Sequence, residues 1–295
     1  MKEKTVYALG YFDGVHLGHQ ALLTACRKPA QSLNCKAAVL TFSQHPDALV
    51  YGSAPALINT TADRERLLRQ FQIDTVVSLA FDAQMMCMPW QDFFRMLLEQ
   101  YGAAGLVCGA DFRFGDQGLG TAQMLKKACE DNNIPCIVVP EQKIQGITVS
   151  SSYIRTLLRD GAMTQARQFL YHPHILSGTV VPGRRLGRTL GIPTANLCLP
   201  QGVLVPKFGV YACRALVNGK QYPALTNIGT RPTVDGQGIT VEAWLPDFEG
   251  DLYGTQITIA FYDFLRPEQK FDTLDALKAQ IHTDAQQLRM FFMKK

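Results

Sequence analysis

The first half of the chain alternates short apolar runs with stretches in which apolar residues recur every three to four positions. The apolar runs predict β-strands, and the periodic stretches predict helices. Strands that alternate with helices build a parallel sheet covered on both faces, so this half predicts a Rossmann-like α/β domain. The predicted strands are 5–9, 37–42, 75–79, 105–108 and 135–139, and the predicted helices are 18–33, 62–71, 90–101 and 121–132.

The pattern changes at about Ser177, where glycine, proline and asparagine become frequent. Turn signals such as Asn218-Gly219 separate apolar runs that predict antiparallel strands at 178–181, 209–217, 221–227, 239–244 and 256–265. We expect a small antiparallel β-barrel closed by a C-terminal helix over about 274–292. The change of pattern predicts two domains, 1–171 and 172–295.

Composition narrows the classes of function. The chain has 295 residues, with 29 Lys and Arg against 25 Asp and Glu, and this net charge of +4 fits small anionic ligands better than a nucleic-acid groove. No apolar stretch approaches the ~18 residues of a membrane span, so a cytoplasmic protein without membrane partners is expected. The eight cysteines form no C-x-x-C pair, and we interpret them as reduced thiols packed in the core.

Two histidines, His16 and His19, stand where the first predicted strand gives way to the first predicted helix. Three residues apart on a helix, both imidazoles face the same side. A helix N-terminus favours phosphate, and Gly14 and Gly18 let the backbone come close to a ligand. The pair is therefore a candidate phosphate site, although an isolated pair of this kind is more often two surface histidines.

Three further segments bear on this site. The loops at 41–46 and 109–115 follow predicted strands, which is where a parallel sheet holds its ligand-binding loops. The serines at 150–152 precede a helical stretch that carries Arg155. They suit a phosphate cradle, and they suit simple helix capping equally well.

In this order the four segments resemble the FMN adenylyltransferase module of bacterial bifunctional riboflavin kinase/FAD synthetases. The shared motifs are G-x-F-D-G-x-H-x-G-H, T-F-x-x-H-P, G-x-D-F-x-F-G and S-S-x-x-I-R. The resemblance implies that His16 and His19 are catalytic residues on the ATP phosphates, and that Asp111 and Phe112 lie near the flavin. It also implies a wider set of ATP or phosphate contacts, namely Asp13, Gly14, Gly18, His45, Ser151, Ser152 and Arg155.

The second half carries a glycine loop with interleaved arginines over 183–191, followed by Thr194 and Asn196. A flexible basic loop can wrap a polyphosphate, and it can equally be a basic surface hairpin. Thr194 and Asn196 alternate, so they share one strand face and offer two hard oxygen ligands to Mg²⁺. Glu242 lies in a strand-like run, where a carboxylate is either solvated or, if it faces the metal site, a base.

This half resembles the riboflavin kinase module of the same family through G-R-x-L-G-x-P-T-A-N, N-x-G-x-R-P-T, V-E and D-L-Y-G. The resemblance implies that Thr194 and Asn196 bind Mg²⁺ and that Glu242 deprotonates the ribityl 5′-hydroxyl. It further implies that Arg266 lies on the flavin side and that Gly183, Arg188 and Gly191 contact ATP phosphates.

The whole chain is therefore expected to phosphorylate riboflavin to FMN and to adenylylate FMN to FAD, with ATP as co-substrate, Mg²⁺ as cofactor and pyrophosphate as a product. The expected partners are riboflavin, FMN and ATP, without nucleic acid. Two alternatives are a chain in which one module has lost activity and a sensor that holds flavin without turnover.

Overall fold

The structure is a computed structural model that describes residues 3–183, 191–233 and 236–293. Packing divides the chain into two compact units. The sheet unit contains Met1–Leu57 and Arg64–Ser151, and the barrel unit contains Ile58–Asp63 and Ser152–Lys295. The short segment before Arg64 thus packs with residues that follow it by about a hundred positions.

The sheet unit is built on a five-stranded parallel sheet in the order β3-β2-β1-β4-β7, which confirms the predicted α/β class. The strand order reverses between β1 and β4, and in open α/β sheets ligands bind outside the carboxyl ends of the strands at such a point. The sheet strands are β1 (Thr5–Leu9), β2 (Lys36–Phe42), β3 (Thr75–Leu79), β4 (Ala103–Gly109) and β7 (Cys136–Val139).

Helices and short strands connect these elements along the first half of the chain. The predicted strands and long helices are confirmed to within a few residues, and so is a short helical stretch predicted over 163–170. The four-residue helices and two-residue strands were not predicted because they lack a periodic pattern. The helices are α1 (Leu17–Ser32), α2 (Asp47–Val50), α3 (Thr61–Arg69), α4 (Ala83–Met86), α5 (Trp90–Glu99), α6 (Ala122–Asp131), α7 (Ser151–Asp160) and α8 (Met163–Leu170). The short strands are β5 (Arg113–Phe114), β6 (Gly120–Thr121), β8 (Lys143–Ile144) and β9 (Ile147–Thr148).

Burial explains why these segments form a core. All five residues of β1 are buried, as a central strand covered on both faces requires. Helix α5 buries Phe93, Phe94 and Leu97 at helical spacing, and these side chains pack in one cluster with Leu106 of β4 and Leu125 of α6.

The barrel unit contains a closed antiparallel barrel in the order β10-β11-β14-β13-β12-β15, which confirms the predicted barrel. Asn218 and Gly219, both at positive φ, join β12 to β13 as the predicted two-residue hairpin turn. The strands are β10 (His174–Val181), β11 (Thr194–Cys198), β12 (Gly209–Val217), β13 (Lys220–Thr233), β14 (Gly236–Trp244) and β15 (Gln256–Arg266).

The predicted C-terminal helix is present as α9 (Leu274–Met293) and packs against β12 and β13. Leu288 of α9 is fully buried in a cluster with Val210 and Leu225. The described part of the chain contains no helix that is both long and apolar enough to cross a membrane.

The eight cysteines are all free thiols, in agreement with the prediction of reduced cysteines, but they are not all in the core. Burial is complete for Cys26 and Cys213, whereas Cys87 and Cys198 are exposed. Burial raises the pKa of Cys26 to about 12, which keeps this thiol protonated and unreactive.

Candidate active sites

A cleft of about 1370 Å³ lies at the carboxyl ends of the sheet-unit strands. Its walls include residues that follow β1, β2 and β4, so it occupies the place where the strand order reverses. Six of the predicted site residues line it together: His16, Gly18, His19, Asp111, Phe112 and Ser151. The loops predicted from separate motifs thus meet at one cavity.

The loop between β1 and α1 has an unusual backbone. Phe12, Gly14 and Val15 all have positive φ, at 61°, 84° and 42°, and such a conformation costs about 1–3 kcal/mol for a non-glycine residue. The side-chain amide of Gln20 donates to the Val15 carbonyl at 2.9 Å and holds the turn. The hydroxyl of Ser151 donates to the carbonyl of the buried Asp13 at 2.8 Å.

His16 is the N-cap of α1, and its Nδ1 accepts the backbone N–H of His19 at 3.3 Å. The two imidazoles are stacked, with ring centroids 3.6 Å apart and an interplanar angle of 14°. Gly18 makes room for this arrangement, because a Cβ there would lie 3.2 Å from Cε1 of His16. The predicted pair is therefore one stacked unit rather than two independent surface side chains.

The charge state of His19 follows from its surroundings. Burial, then the neighbouring His16 and then Arg64, holds the pKa of His19 well below its usual value. Its Nδ1 is a buried atom with no hydrogen-bond partner among the described residues. A neutral imidazole of this kind carries one N–H donor, and a bound anion would favour protonation and raise the pKa.

Asp111 and Phe112 also line the cleft, directly after β4. The N–H of Phe112 donates to the Gly109 carbonyl at 3.1 Å, and a Cβ on Gly109 would lie 2.7 Å from Oδ1 of Asp111, so a larger residue there would displace the Asp111 carboxylate. Phe112 stacks on Phe114 with centroids 5.5 Å apart. With Phe81, Met85 and Phe93 these rings give the cleft an apolar wall that suits a flat aromatic ligand.

His45, Ser152 and Arg155, which were also predicted to bind phosphate, do not line this cleft. The ring of His45 lies edge-on against Tyr11, with centroids 4.6 Å apart, and its Nδ1 accepts the N–H of Asp47 at 3.2 Å. Ser152 and Arg155 pack with the barrel unit on α7, where Ser152 is exposed and Arg155 is buried. The structure therefore brings Ser151, but not the whole serine motif, to the cleft of the sheet unit.

A second candidate site follows from strand register in the barrel unit. Asn196 of β11 is paired with Glu242 of β14, and Glu242 is paired in turn with Asn227 of β13. Directly paired residues share a face, so these three side chains form one row across three strands. Their neighbours along the strands, such as Ala195 and Val241, are buried, whereas all three members of the row are half-buried.

The expected magnesium ligands, Thr194 and Asn196, lie on β11, the first strand of this row. Thr194 and Asn196 lie on one face of β11, and a Cβ on Gly183 would collide with the side-chain amide of Asn196, so the chain is closely packed there. Amide, hydroxyl and carboxylate oxygens suit Mg²⁺, which keeps several waters. The described residues contain no group of three or more His, Cys, Asp or Glu that could hold a metal, so the fit rests on Thr194, Asn196 and Glu242.

The other residues predicted to bind ligands in the barrel unit include Gly191, Arg188 and Arg266. Gly191 is exposed with a positive φ of 72°, while Arg188 lies outside the described residues. Arg266 makes a bidentate ion pair with Asp284 of α9, at 2.8–3.0 Å, and donates to the Pro267 carbonyl at 3.1 Å. Its observed contacts therefore fix α9 on the barrel, and its contact with flavin stays a prediction.

Two residues were missed by the sequence reasoning. Asn227 stands in the motif N-x-G-x-R-P-T but was given no role, and its place beside Glu242 follows from the pairing of β13 with β14. Arg64 is buried on α3 and contacts the loops after β1 and β2. Its position three and four residues before Leu67 and Leu68 places it on the apolar face of a helix, and a charged residue on that face is a signal that could have found it.

Comparison with known proteins assigns the chain to a family. The family model for FAD synthetase matches residues 1–153, and the model for riboflavin kinase matches residues 170–292. The bifunctional riboflavin kinase/FMN adenylyltransferase of Listeria monocytogenes is 34% identical, over 98% of this chain and 93% of that protein. The chain belongs to the bifunctional riboflavin kinase/FMN adenylyltransferase family.

Other members of this family are equally similar along their length. The Escherichia coli K12 protein is 36% identical over 99% of this chain and 94% of its own. A solved structure described as a macrolide-efflux protein from Streptococcus pneumoniae has a TM-score of 0.90 and 32% identity, covering 98% of this chain and 95% of that one. The full-length fold is therefore shared, and the sheet and barrel units correspond to the two modules of the family.

Proposed function

We propose that the chain performs both reactions of its family, each in its own unit: phosphorylation of riboflavin in the barrel unit and adenylylation of FMN in the sheet unit. The observation that carries this proposal is that each unit holds its own set of side chains for phosphate chemistry. These sets are the stacked His16 and His19 in the sheet unit and the row of Asn196, Glu242 and Asn227 in the barrel unit.

In the sheet unit, a phosphate oxygen of FMN attacks the α-phosphorus of ATP while the bond to pyrophosphate breaks. Negative charge grows on the α-phosphate and on the departing pyrophosphate, so N–H donors aimed at these oxygens stabilise the transition state. His16 and His19 supply such donors beside the N-terminus of α1, which favours anions. Gly14, at positive φ, lets the backbone N–H groups of the loop come close to the phosphates.

In the barrel unit, the ribityl 5′-hydroxyl of riboflavin attacks the γ-phosphorus of ATP and loses its proton, while the bond from the γ-phosphorus to the bridging oxygen breaks and ADP leaves. Glu242 accepts that proton, because a primary alcohol is a poor nucleophile at neutral pH. Thr194 and Asn196 would hold Mg²⁺, which would neutralise charge on the phosphate oxygens. Gly183, Arg188 and Gly191 belong to the loop that contacts the phosphates of ATP, and Asp111, Phe112 and Arg266 belong to the flavin-side surfaces of the two units.

The functional domains in this proposal are 1–171 and 172–295. A fragment from His172 to Lys295 contains every residue assigned to riboflavin phosphorylation, and ~124 residues suffice for an independent core. The fragment lacks α7 and α8, which pack with the barrel unit, and it lacks Asp63, which in that unit accepts a hydrogen bond of 2.6 Å from Ser177. Ser177 keeps its second partner, Thr258, at 2.7 Å, so we expect a folded and active fragment of reduced stability.

Incubation of the protein with riboflavin, ATP and Mg²⁺, followed by chromatography of the flavins, tests the proposal. Accumulation of FMN and then FAD supports it. FMN without FAD, with supplied FMN also unreactive, would identify a chain with one active module, and bound flavin without turnover would identify a sensor. A cytoplasmic location and the absence of nucleic-acid and membrane partners remain part of the same proposal.

A further inference from the structure

We propose that Arg64 is a positioning residue for FMN adenylylation, which fixes the loop carrying the histidine pair relative to the loop after β2. The inference rests on the proposed assignment of that reaction to the cleft of the sheet unit. Arg64 itself lies on α3, outside the motifs that carry the family resemblance, and it is not among the residues that line the cleft in the described structure.

The guanidinium of Arg64 joins two strand ends. Its Nη1 donates to the carbonyl of Tyr11, directly before the histidine turn, and its Nη2 donates to the carbonyl of Phe42, the last residue of β2, each at 3.0 Å. Its Cζ lies 4.4 Å from the centroid of the Tyr11 ring, and the side chain is 3% exposed. The planar fork thus holds two carbonyls and one aromatic face at once, which a lysine ammonium cannot reproduce.

Displacement of Tyr11 would move groups on both sides of the cleft. The Tyr11 ring contacts the ring of His45, and the next residue, Phe12, packs its ring 5.0 Å from that of His19. The loop ends at His16, whose Nδ1 caps α1. Because a shift of about 1 Å in a group that binds the transition state can cost 10²-fold in rate, a clamp on Tyr11 controls catalysis without touching substrate.

Arg64 also adds positive charge at this end of the sheet. The groups that act on the charge of His19 are His16, on its own helix, and Arg64, from α3. Both lower the pKa of His19, after the larger effect of burial. Arg64 therefore has two separable contributions, a geometric one through the two carbonyls and an electrostatic one through its charge.

Two variants separate these contributions. Arg64→Gln removes both, and we expect kcat for FMN adenylylation to fall about 10- to 100-fold with a smaller change in KM for FMN. Arg64→Lys keeps the charge in place, should fold if the Gln variant does not, and is expected to lose about 5- to 10-fold because it cannot hold both carbonyls. Riboflavin phosphorylation by the same chain reports an intact barrel unit.

Arg69→Gln is the matched control. Arg69 lies on the same helix and pairs at 2.8 Å with Glu65 on the exposed surface, so its loss should leave adenylylation within about twofold of the parent chain. NMR titration of the imidazole signals provides a second readout. Arg64→Gln is expected to raise the pKa of His19, whereas Arg64→Lys and Arg69→Gln are expected to leave it near its original value.

A double-mutant cycle with His19→Ala decides whether Arg64 acts through the histidines. If it does, adding Arg64→Gln to His19→Ala costs less than about threefold, because the group being positioned is already gone. Multiplicative losses, or Arg64→Gln and Arg64→Lys enzymes within twofold of the parent, would overturn the inference. If His19→Ala alone leaves adenylylation intact, the proposed function of the cleft fails instead, so the two failures are distinguishable.

Discussion

The two units build sites for closely related phosphate chemistry in opposite ways. In the sheet unit the histidine pair comes from one turn of one helix, and it is stacked, partly buried and held by a loop with three positive φ angles. In the barrel unit Asn196, Asn227 and Glu242 come from three strands and meet through register on a half-buried face. A parallel sheet concentrates its site at strand ends, whereas a barrel can place a site along its wall.

The comparison predicts different sensitivities. The sheet-unit site should respond to small changes in loop geometry, because its donors act from one strained turn. The barrel-unit site should tolerate changes in neighbouring side chains but depend strongly on the chemistry of its one carboxylate. The predictions below run from the largest expected effect to the smallest.

Glu242→Gln is expected to have the largest effect. The change keeps the shape of the side chain but removes its ability to take a proton, so the riboflavin phosphorylation rate should fall about 10²–10⁴-fold. Binding of riboflavin and ATP should change far less. Steady-state kinetics measure this, with Glu249→Gln, an exposed carboxylate of the same unit, as the control. A Glu242→Gln rate within a few-fold of the parent would remove this carboxylate from the mechanism.

Asp284→Asn tests the ion pair that holds α9 on the barrel. Asp284 is 1% exposed and accepts three hydrogen bonds from Arg266 and one from Gln280, so its neutralisation leaves a largely buried guanidinium without its counter-charge. We expect a loss of about 3 kcal/mol in the free energy of unfolding, seen in denaturant titration. Asp131→Asn, which breaks an exposed pair with Lys127, should cost under about 1 kcal/mol. Equal losses would contradict this account.

His174→Leu tests a buried imidazole of β10. Neither ring nitrogen of His174 has a hydrogen-bond partner in the described part of the chain, and burial, followed by the nearby His172, lowers its pKa to about 3. Between pH 6.5 and 3 the unfolded chain binds this proton and the folded chain does not. Stability is therefore lost as pH falls through that window, by up to about 1.4 kcal/mol per pH unit.

The leucine variant should lack this contribution and be at least as stable as the parent at pH 7, because an unbonded buried polar group is removed. Denaturant titrations at pH 7, 6, 5 and 4 measure the difference between the two proteins. Parallel curves over the whole range would show that His174 is protonated to the same extent in the folded and unfolded states.

Gly18→Ala should have the smallest effect, and it tests the loop sensitivity of the sheet unit. The added Cβ would lie 3.2 Å from Cε1 of His16, so the ring must shift by a few tenths of an ångström. We expect adenylylation to fall about 3- to 10-fold while riboflavin phosphorylation is unchanged. Gly146→Ala in the turn between β8 and β9, where a Cβ meets no atom within 4 Å, controls for the loss of a glycine. The control is expected to leave adenylylation unchanged, although its φ of 82° will cost some stability.

The difference between the sheet-unit site and the barrel-unit site also explains which features could be predicted from the sequence. The strand-to-helix turn at His16 and His19 is local, so spacing alone indicated that the imidazoles share a face and stand at a helix start. The parallel sheet and the barrel followed from two different hydrophobic patterns. The burial of His16 and the lowered pKa of His19 could not be predicted, because they depend on segments distant in sequence, such as the helix that carries Arg64.

The other features that were not predicted from the sequence depend on contacts between distant segments. The row of Asn196, Glu242 and Asn227 requires the register of two strand pairs, which no periodicity in one segment encodes. The role of Arg64 requires β1 and β2 to end side by side. The pairing of Arg266 with Asp284 requires α9 to dock on the barrel, so it could not be predicted from the local sequence around Arg266.

The central claim is that the two reactions belong to two separate sites, and one experiment tests it directly. The variant His16→Ala/His19→Ala and the variant Glu242→Gln are each assayed for FMN formation from riboflavin and for FAD formation from supplied FMN. The account predicts a crossed pattern: the histidine variant loses about 10²-fold or more in FAD formation with normal FMN formation, and the glutamate variant does the reverse. Folded variants that each lose both activities equally would contradict it.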